Sequence, residues 1–242
     1  MGEECLWGQT LSAFKRLNII AEGQTEERFV NDTLSRYLSH FSIDTRVRCV
    51  ETGRKNGKKF SGGLDGYEKA KNDIERWIRE DRNNDVYFTT MFDLYALPAE
   101  FPGWSDAIKM RDPYEKVAHL EAELKKDIGD QRFIPYIQLH EFEALIFVDP
   151  AKLTDIFFEA QNSITTFEQI TEKFNGNPEL INEGPETAPS KRIIKVIPAY
   201  KSQKPTAGAG AVGNTGIPKL KERCRHFREW IEQLESLGTP AI

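Results

Sequence analysis

Cysteine is scarce in this chain of 242 residues: Cys5, Cys49 and Cys224 are odd in number and far apart. No CxxC pair and no Cys/His cluster occurs, which argues against structural zinc and against a disulfide framework. Such use of cysteine fits a reducing, cytoplasmic compartment with buried or idle thiols. Long apolar runs are missing too, and none approaches the roughly 20 residues needed to span a bilayer. The opening MGEECLWGQTLSAFKR has no basic start followed by an apolar stretch, so a secretory signal is not expected. Repeats and low-complexity tracts are absent. The net charge of -5 argues against passive coating of nucleic acid.

What is present is an ordinary folding composition, 39% hydrophobic and 29% charged, enough for a normal core in one large domain or a domain with an appended lobe. Charge is unevenly spread. Between residues 188 and 228 ten Lys/Arg face one acid, Glu222, while the rest of the chain is acidic. Such a chain can hold metal ions in one part and phosphates in the other, or simply present a solvated basic face.

The order of elements reads β-α-β-α-β-α-β. LNIIAEG (17–23) is a buried strand ending in a carboxylate and a turn glycine, followed by a helix over 25–40. TRVRCVET (45–52) alternates as a second strand, and GRKNGKKFSGG (53–63) reads as a basic, Gly-rich loop. A helix over 66–80, a strand DVYFTTMFD (85–93), a helix over 113–127 and a strand RFIPYIQLH (132–140) follow. The alternation predicts an α/β fold with a mostly parallel sheet flanked by helices, whose ligand site lies beyond the carboxyl ends of the strands. Residues 1–16 read as an extension, 17–150 as the α/β core, and 151–242 as a mostly helical region with a basic loop, packed on the core. In that last region RIIKVIPAY reads as a strand and IPKLKERCRHFREWIEQLES as one helix.

Polar groups gather at strand ends. Glu22 and Asp93 each close an apolar strand, where a carboxylate needs a partner. Glu26 sits in the first turn of the next helix, where the dipole favours it and where it also serves as a cap. If the first and third of these strands are neighbours, Glu22 and Asp93 can share a divalent cation. Oxygen ligands with several carboxylates favour Mg2+ or Mn2+, the ions of phosphodiester chemistry. HEFE (140–143) adds Glu141 and Glu143, one expected in the site and the other solvated, and His140, either beside the metal ligands or structural. It lacks the second histidine of a zinc-protease helix.

GAGAVG (208–213) matches the dinucleotide fingerprint, but no strand leads into it and no acid-bearing strand follows. As a phosphate loop it lacks the essential lysine, replaced by Asn214. His226 has no metal-ligating companion. What remains is a glycine loop flanked by Lys191, Arg192, Lys201 and Lys204, cations suited to phosphate, with Tyr200 placed to stack or hydrogen-bond. Arg54, Lys55, Lys58 and Lys59 of the earlier basic stretch are further candidates for contact with nucleic acid.

With these residues in view the chain resembles the Toprim superfamily, through the strand ending in Glu22-Gly23 and the later strand ending in Asp93. Glu26 looks like the second acid of OLD-type nucleases. IIAEGQTEE (19–27), MFDLYALP (91–98), IQLHEFEALIF (137–147), PSKRI (189–193) and IPKLKERCRHFREWIEQLE (217–235) make it most similar to the bacterial domain-of-unknown-function family 4276. The resemblance implies a Toprim-like fold, magnesium-dependent cleavage of DNA or RNA, and association with an ABC/SMC-like ATPase in bacterial defence. It also implies that Lys191 or Lys201 is the catalytic lysine. One departure stands out: the usual Asp-x-Asp is here Asp93-Leu94-Tyr95, so Glu141 or Glu143 is expected to replace the missing ligand. The leading expectation is a metal-dependent endonuclease, able to form homo-oligomers. A catalytically silent sensor or regulatory subunit and a primase-like nucleotidyl transferase are the alternatives.

Overall fold

Leu17, Ile19, Ile20 and Ala21 leave the first strand no polar face but Asn18, and strand β1 (Lys15–Ala21) accordingly lies inside a parallel sheet. The computed structural model describes residues 14–55, 58–61, 64, 66–182 and 184–239, with residues 51–55, 58–61 and 185 described by their backbone alone. β1 pairs on one side with β2 (Ile43–Cys49) and on the other with β5 (Val86–Asp93). Beyond β5 come two short pieces, β6 (Phe133–Ile134) and β7 (Ile137–Gln138), both parallel to it. Ala21 stands opposite Met91, so Glu22, the residue after β1, comes out beside Phe92 and Asp93, the last residues of β5, at the sheet's carboxyl edge.

Side chains alternate between two cores. Leu17, Ile19 and Met91 face one, with the helix that follows β1 and the C-terminal helices. Ile20, Phe88 and Phe92 face the other, with α3 (Tyr67–Glu80) and α5 (Pro113–Ile128). The helix after β1 runs as α1 (Gln24–Phe29), a π-helical stretch Val30–Leu34, and α2 (Ser35–Ser39), burying Phe29, Val30, Leu34 and Leu38. A short α4 (Trp104–Ala107) precedes α5, which is capped by the Asp112 carboxylate, starts on Pro113 and stops at Gly129 with φ +70°.

The C-terminal region holds α6 (Ile164–Lys173), α7 (Pro189–Val196), α8 (Tyr200–Thr215), α9 (Ile217–Arg223) and α10 (Arg225–Glu235). Trp230 of α10 donates its indole N–H to Thr89 of β5 at 3.0 Å and stacks on Tyr136, ring centroids 4.1 Å apart. No helix among the described residues is long and apolar enough to cross a membrane.

Several segments differ from the sequence reading. The basic stretch read as a loop carries a two-stranded antiparallel ribbon, β3 (Glu51–Lys55) and β4 (Lys58–Ser61). The side chains of Arg54, Lys55, Lys58 and Lys59 lie outside the described residues. Pro135 has no N–H to give a ladder, and the strand expected over 132–140 is split in two. RIIKVI forms α7 instead of a strand, since Pro189 starts a helix and Ile193 buries on one side. The supposed glycine loop is helical, within α8. Gly208 packs where an added Cβ would stand 2.7 Å from the Tyr200 hydroxyl and 3.3 Å from Thr25, and one at Gly213 would stand 2.5 Å from Thr33. The glycines allow α8 to cross α1 closely, which is why the stretch mimics a nucleotide loop without being one. The single terminal helix is broken at Cys224, whose extended backbone separates α9 from α10.

Candidate functional site

Four carboxylates and one lysine meet beyond the carboxyl ends of β1 and β5. Glu22 directly follows β1, its backbone N–H still donating to the Met91 carbonyl at 3.0 Å. Its Oε2 accepts the Asp93 N–H at 2.9 Å, which ties the two strand ends together. Asp93 Oδ1 in turn accepts the Phe142 N–H at 2.9 Å and so holds the 3-10 turn Phe142–Val148 against the same edge. That turn carries Glu143. Glu26, in the first turn of α1, accepts the Gly23 N–H at 3.0 Å.

Glu143 has no exposed surface. Its Oε1 accepts the Tyr200 hydroxyl at 3.0 Å and pairs with the Lys204 ammonium at 3.2 Å, while Oε2 has no hydrogen-bond partner. Tyr200 and Lys204, four apart on α8, reach the carboxylate from one helix face. Glu179, also fully buried, marks the contrast. It accepts the N–H groups of His226 and Phe227 and the Tyr114 hydroxyl at 2.9–3.0 Å, leaving neither oxygen idle. Glu179 is a structural cap for α10; Glu143 retains an unused oxygen facing a charged cluster.

The electrostatics follow from crowding. Burial pushes the Glu22 carboxyl up to about 7 against the pull of the Asp93 N–H, and neighbouring Glu26 adds to the rise. Burial likewise pushes Glu26 up to about 7, with its backbone hydrogen bond opposing and Glu143 adding. Asp93 is raised well above its usual value by burial, then by Glu22, Glu26 and Glu143. Glu143 is raised by burial, which Lys204 opposes. For Lys204 burial works against the charge, but the carboxylates of Glu143, Asp93 and Glu141 outweigh it and hold the ammonium above its ordinary value. Among the described residues, Lys204 is the cation that acts on all four acids, and the crowding raises each of their pKa values.

The residue types fit a hard divalent cation: oxygen donors alone, several of them carboxylates, with one buried oxygen idle. Among the described residues, no three acidic, histidine or cysteine side chains already converge on one point. Glu22, Glu26 and Asp93 each turn one oxygen onto a backbone N–H.

Of the residues read from sequence, Glu22, Glu26, Asp93 and Glu143 come together. Glu141 is half-buried, and its Oε2 accepts the Ser190 N–H at 2.9 Å, which holds the start of α7 near the site. The lysine differs from expectation. Lys191 and Lys201 are exposed, and the lysine on the carboxylates is Lys204, first read as a nucleic-acid contact. Its helical spacing from Tyr200 is the signal that reading the segment as a loop concealed. Arg192 is half-buried and donates to the Thr187 carbonyl at 2.6 Å. His140 has no hydrogen bond to the carboxylates: Asn182 lies 3.4 Å from its Nδ1, and burial, then Lys116, lower its pKa to about 4. His226, as expected, is a helix residue, 2.9 Å from Glu121.

The family model described as Domain of unknown function (DUF4276) matches residues 21–235, and the chain belongs to that family. No curated protein matches it in sequence. Among solved structures it is similar to the C-terminal region of the Xanthomonas campestris pv. campestris OLD protein, phased with iodine. That likeness has a TM-score of 0.45 and 13% identity, covering 92% of this chain and 95% of that one. The same region phased with platinum gives a TM-score of 0.43 and 11% identity, covering 92% and 93%.

Proposed function

We propose that this DUF4276 protein is a divalent-metal-dependent nuclease that hydrolyses phosphodiester bonds of DNA or RNA. The observation that carries the reading is that Glu22, Glu26, Asp93 and Glu143 lie within electrostatic reach of one another and of Lys204, which pairs with Glu143. Glu22, Asp93 and Glu143 would hold Mg2+ or Mn2+, with Glu26 joining them or orienting water. Bound there, the metal supplies Lewis-acid charge and a more acidic water.

The chain's own residues supply the rest. Lys204, kept protonated by its neighbours, is an ammonium fixed beside the reacting phosphate, where it offsets negative charge gathering on the oxygens. Tyr200 orients Glu143 through its hydroxyl.

The test is incubation of purified protein with plasmid DNA and with RNA in Mg2+ or Mn2+. Cleavage is expected, and it should vanish with Glu22→Gln plus Asp93→Asn. Cleavage that survives this double change sinks the proposal. A second reading, a catalytically silent regulatory subunit, is favoured by one feature: no three of the described ligand-type side chains yet converge. Calorimetric titration separates the two, since a silent subunit gives no metal heat.

A further inference from the structure

A cavity of about 170 Å³ is lined by Tyr95, Trp104, Pro113, Lys116, His140 and Asn182, with Leu94, the residue after Asp93, completing it. Its two walls are continuous with the acidic site. Tyr95 lies two residues after Asp93, and His140 lies three before Glu143. The Tyr95 N–H donates to the His140 carbonyl at 3.1 Å, and the two rings pack at 5.4 Å with 43° between their planes. His140 holds a left-handed backbone, φ +62°, unusual for a residue with a side chain and found where a site fixes its geometry.

The lining has the composition of a nucleotide subsite. Tyr95 is 39% exposed, an aromatic ring left open to a ligand. Trp104 and Pro113 add flat apolar surface. Among the described residues His140 Nε2 has no hydrogen bond and Lys116 has no ion pair, so both remain for a polar ligand. Asn182 is already engaged, its Nδ2 lying 3.4 Å from His140 Nδ1 and its Oδ1 accepting the Gly184 N–H at 2.8 Å, so it stiffens the wall. Drug-sized ligands occupy cavities of about 300 Å³ or more, so this one suits a single ring system.

We infer that this cavity receives one unpaired nucleobase of the strand being cut, stacked on Tyr95, with Lys116 on an adjoining phosphate. The inference rests on the nuclease reading and deepens it, giving the enzyme a preference for single-stranded or locally opened substrate.

The test uses the full chain in EDTA, so that binding is read without cleavage. The probes are a single-stranded oligonucleotide carrying 2-aminopurine, its duplex, and adenosine 5′-monophosphate. The single strand should bind more tightly than either other probe and its fluorescence should be quenched. Tyr95→Ala should weaken binding by about five- to hundred-fold, the range of base–aromatic stacking, while Tyr95→Phe retains it. Lys116→Gln should weaken the oligonucleotide and flatten its salt dependence. Melting temperatures of the variants equal to wild type show that the fold is intact, and His140→Asn, which tolerates the left-handed backbone, gives an independent second probe of the same wall.

Unchanged affinity and quenching in a folded Tyr95→Ala, or mononucleotide binding as tight as oligonucleotide binding, overturns the inference. The two readings fail separately. Base binding without cleavage in Mg2+ removes the nuclease and leaves the subsite. Cleavage whose KM ignores Tyr95→Ala removes the subsite and leaves the nuclease.

Discussion

Glu26→Gln should make the metal-free protein more stable at pH 8, although it removes a residue assigned to function. Glu26 is 6% exposed, and the glutamine can still accept the Gly23 N–H. What the change removes is a buried charge. A carboxyl displaced from its usual 4.5 to about 7 binds its proton more tightly folded than unfolded. Stability from this group is therefore complete below about 4.5, declines as pH rises, and is lost above about 7. The displacement corresponds to about 3 kcal/mol. Because neighbouring carboxyls share the proton, a single substitution should recover about 2 kcal/mol. The assay is urea unfolding in EDTA at several pH values: the two proteins should coincide near pH 4.5 and separate by pH 8, the variant ahead. Millimolar Mg2+ should then raise wild type more than the variant. A variant less stable than wild type at pH 8 in EDTA would refute the reasoning, because the charge would then already be satisfied by Lys204 and the backbone.

Three further outcomes follow from the same contacts. Lys204→Met strips Glu143 of its cation, so cleavage should be abolished and metal-free stability at pH 8 should fall by about 3 kcal/mol, read by activity and urea unfolding together. Gly208→Ala places a Cβ 2.7 Å from the Tyr200 hydroxyl, so it should cost about 1–3 kcal/mol and lower activity by displacing Tyr200 from Glu143, measured by thermal melts and turnover. For His226, burial lowers the pKa, but Glu121, in hydrogen-bond contact, and then Glu179 outweigh it and leave a net rise above 6.5. The stabilisation is thus full below 6.5 and fades as pH climbs through the folded value; the difference between wild type and His226→Asn should be larger at pH 6 than at pH 9.

Legibility in the sequence tracked how local the signal was. Glu22 and Asp93 could be read because each ends a run of buried residues, and a parallel sheet sends such ends to one edge. The choice between Glu141 and Glu143 was not legible, because it depends on the 3-10 turn that directs Glu143 inward and leaves Glu141 on the start of α7. Lys204 was hidden by Pro205 and three glycines in α8, residues whose intrinsic preference is against helix. Tertiary packing decides there: Gly208 and Gly213 are where α8 meets Thr25 and Thr33. The same applies to Glu179, whose full burial under α10 no local pattern signals.

The most direct measurement is anomalous diffraction from crystals soaked in Mn2+. The account expects a peak with carboxylate oxygens of Glu22, Asp93 and Glu143 at about 2.0–2.4 Å, the otherwise idle Glu143 Oε2 among them. Crystals that diffract well but show no peak there, with Lys204 still seated on Glu143 and Glu22 still on the Asp93 N–H, would contradict it.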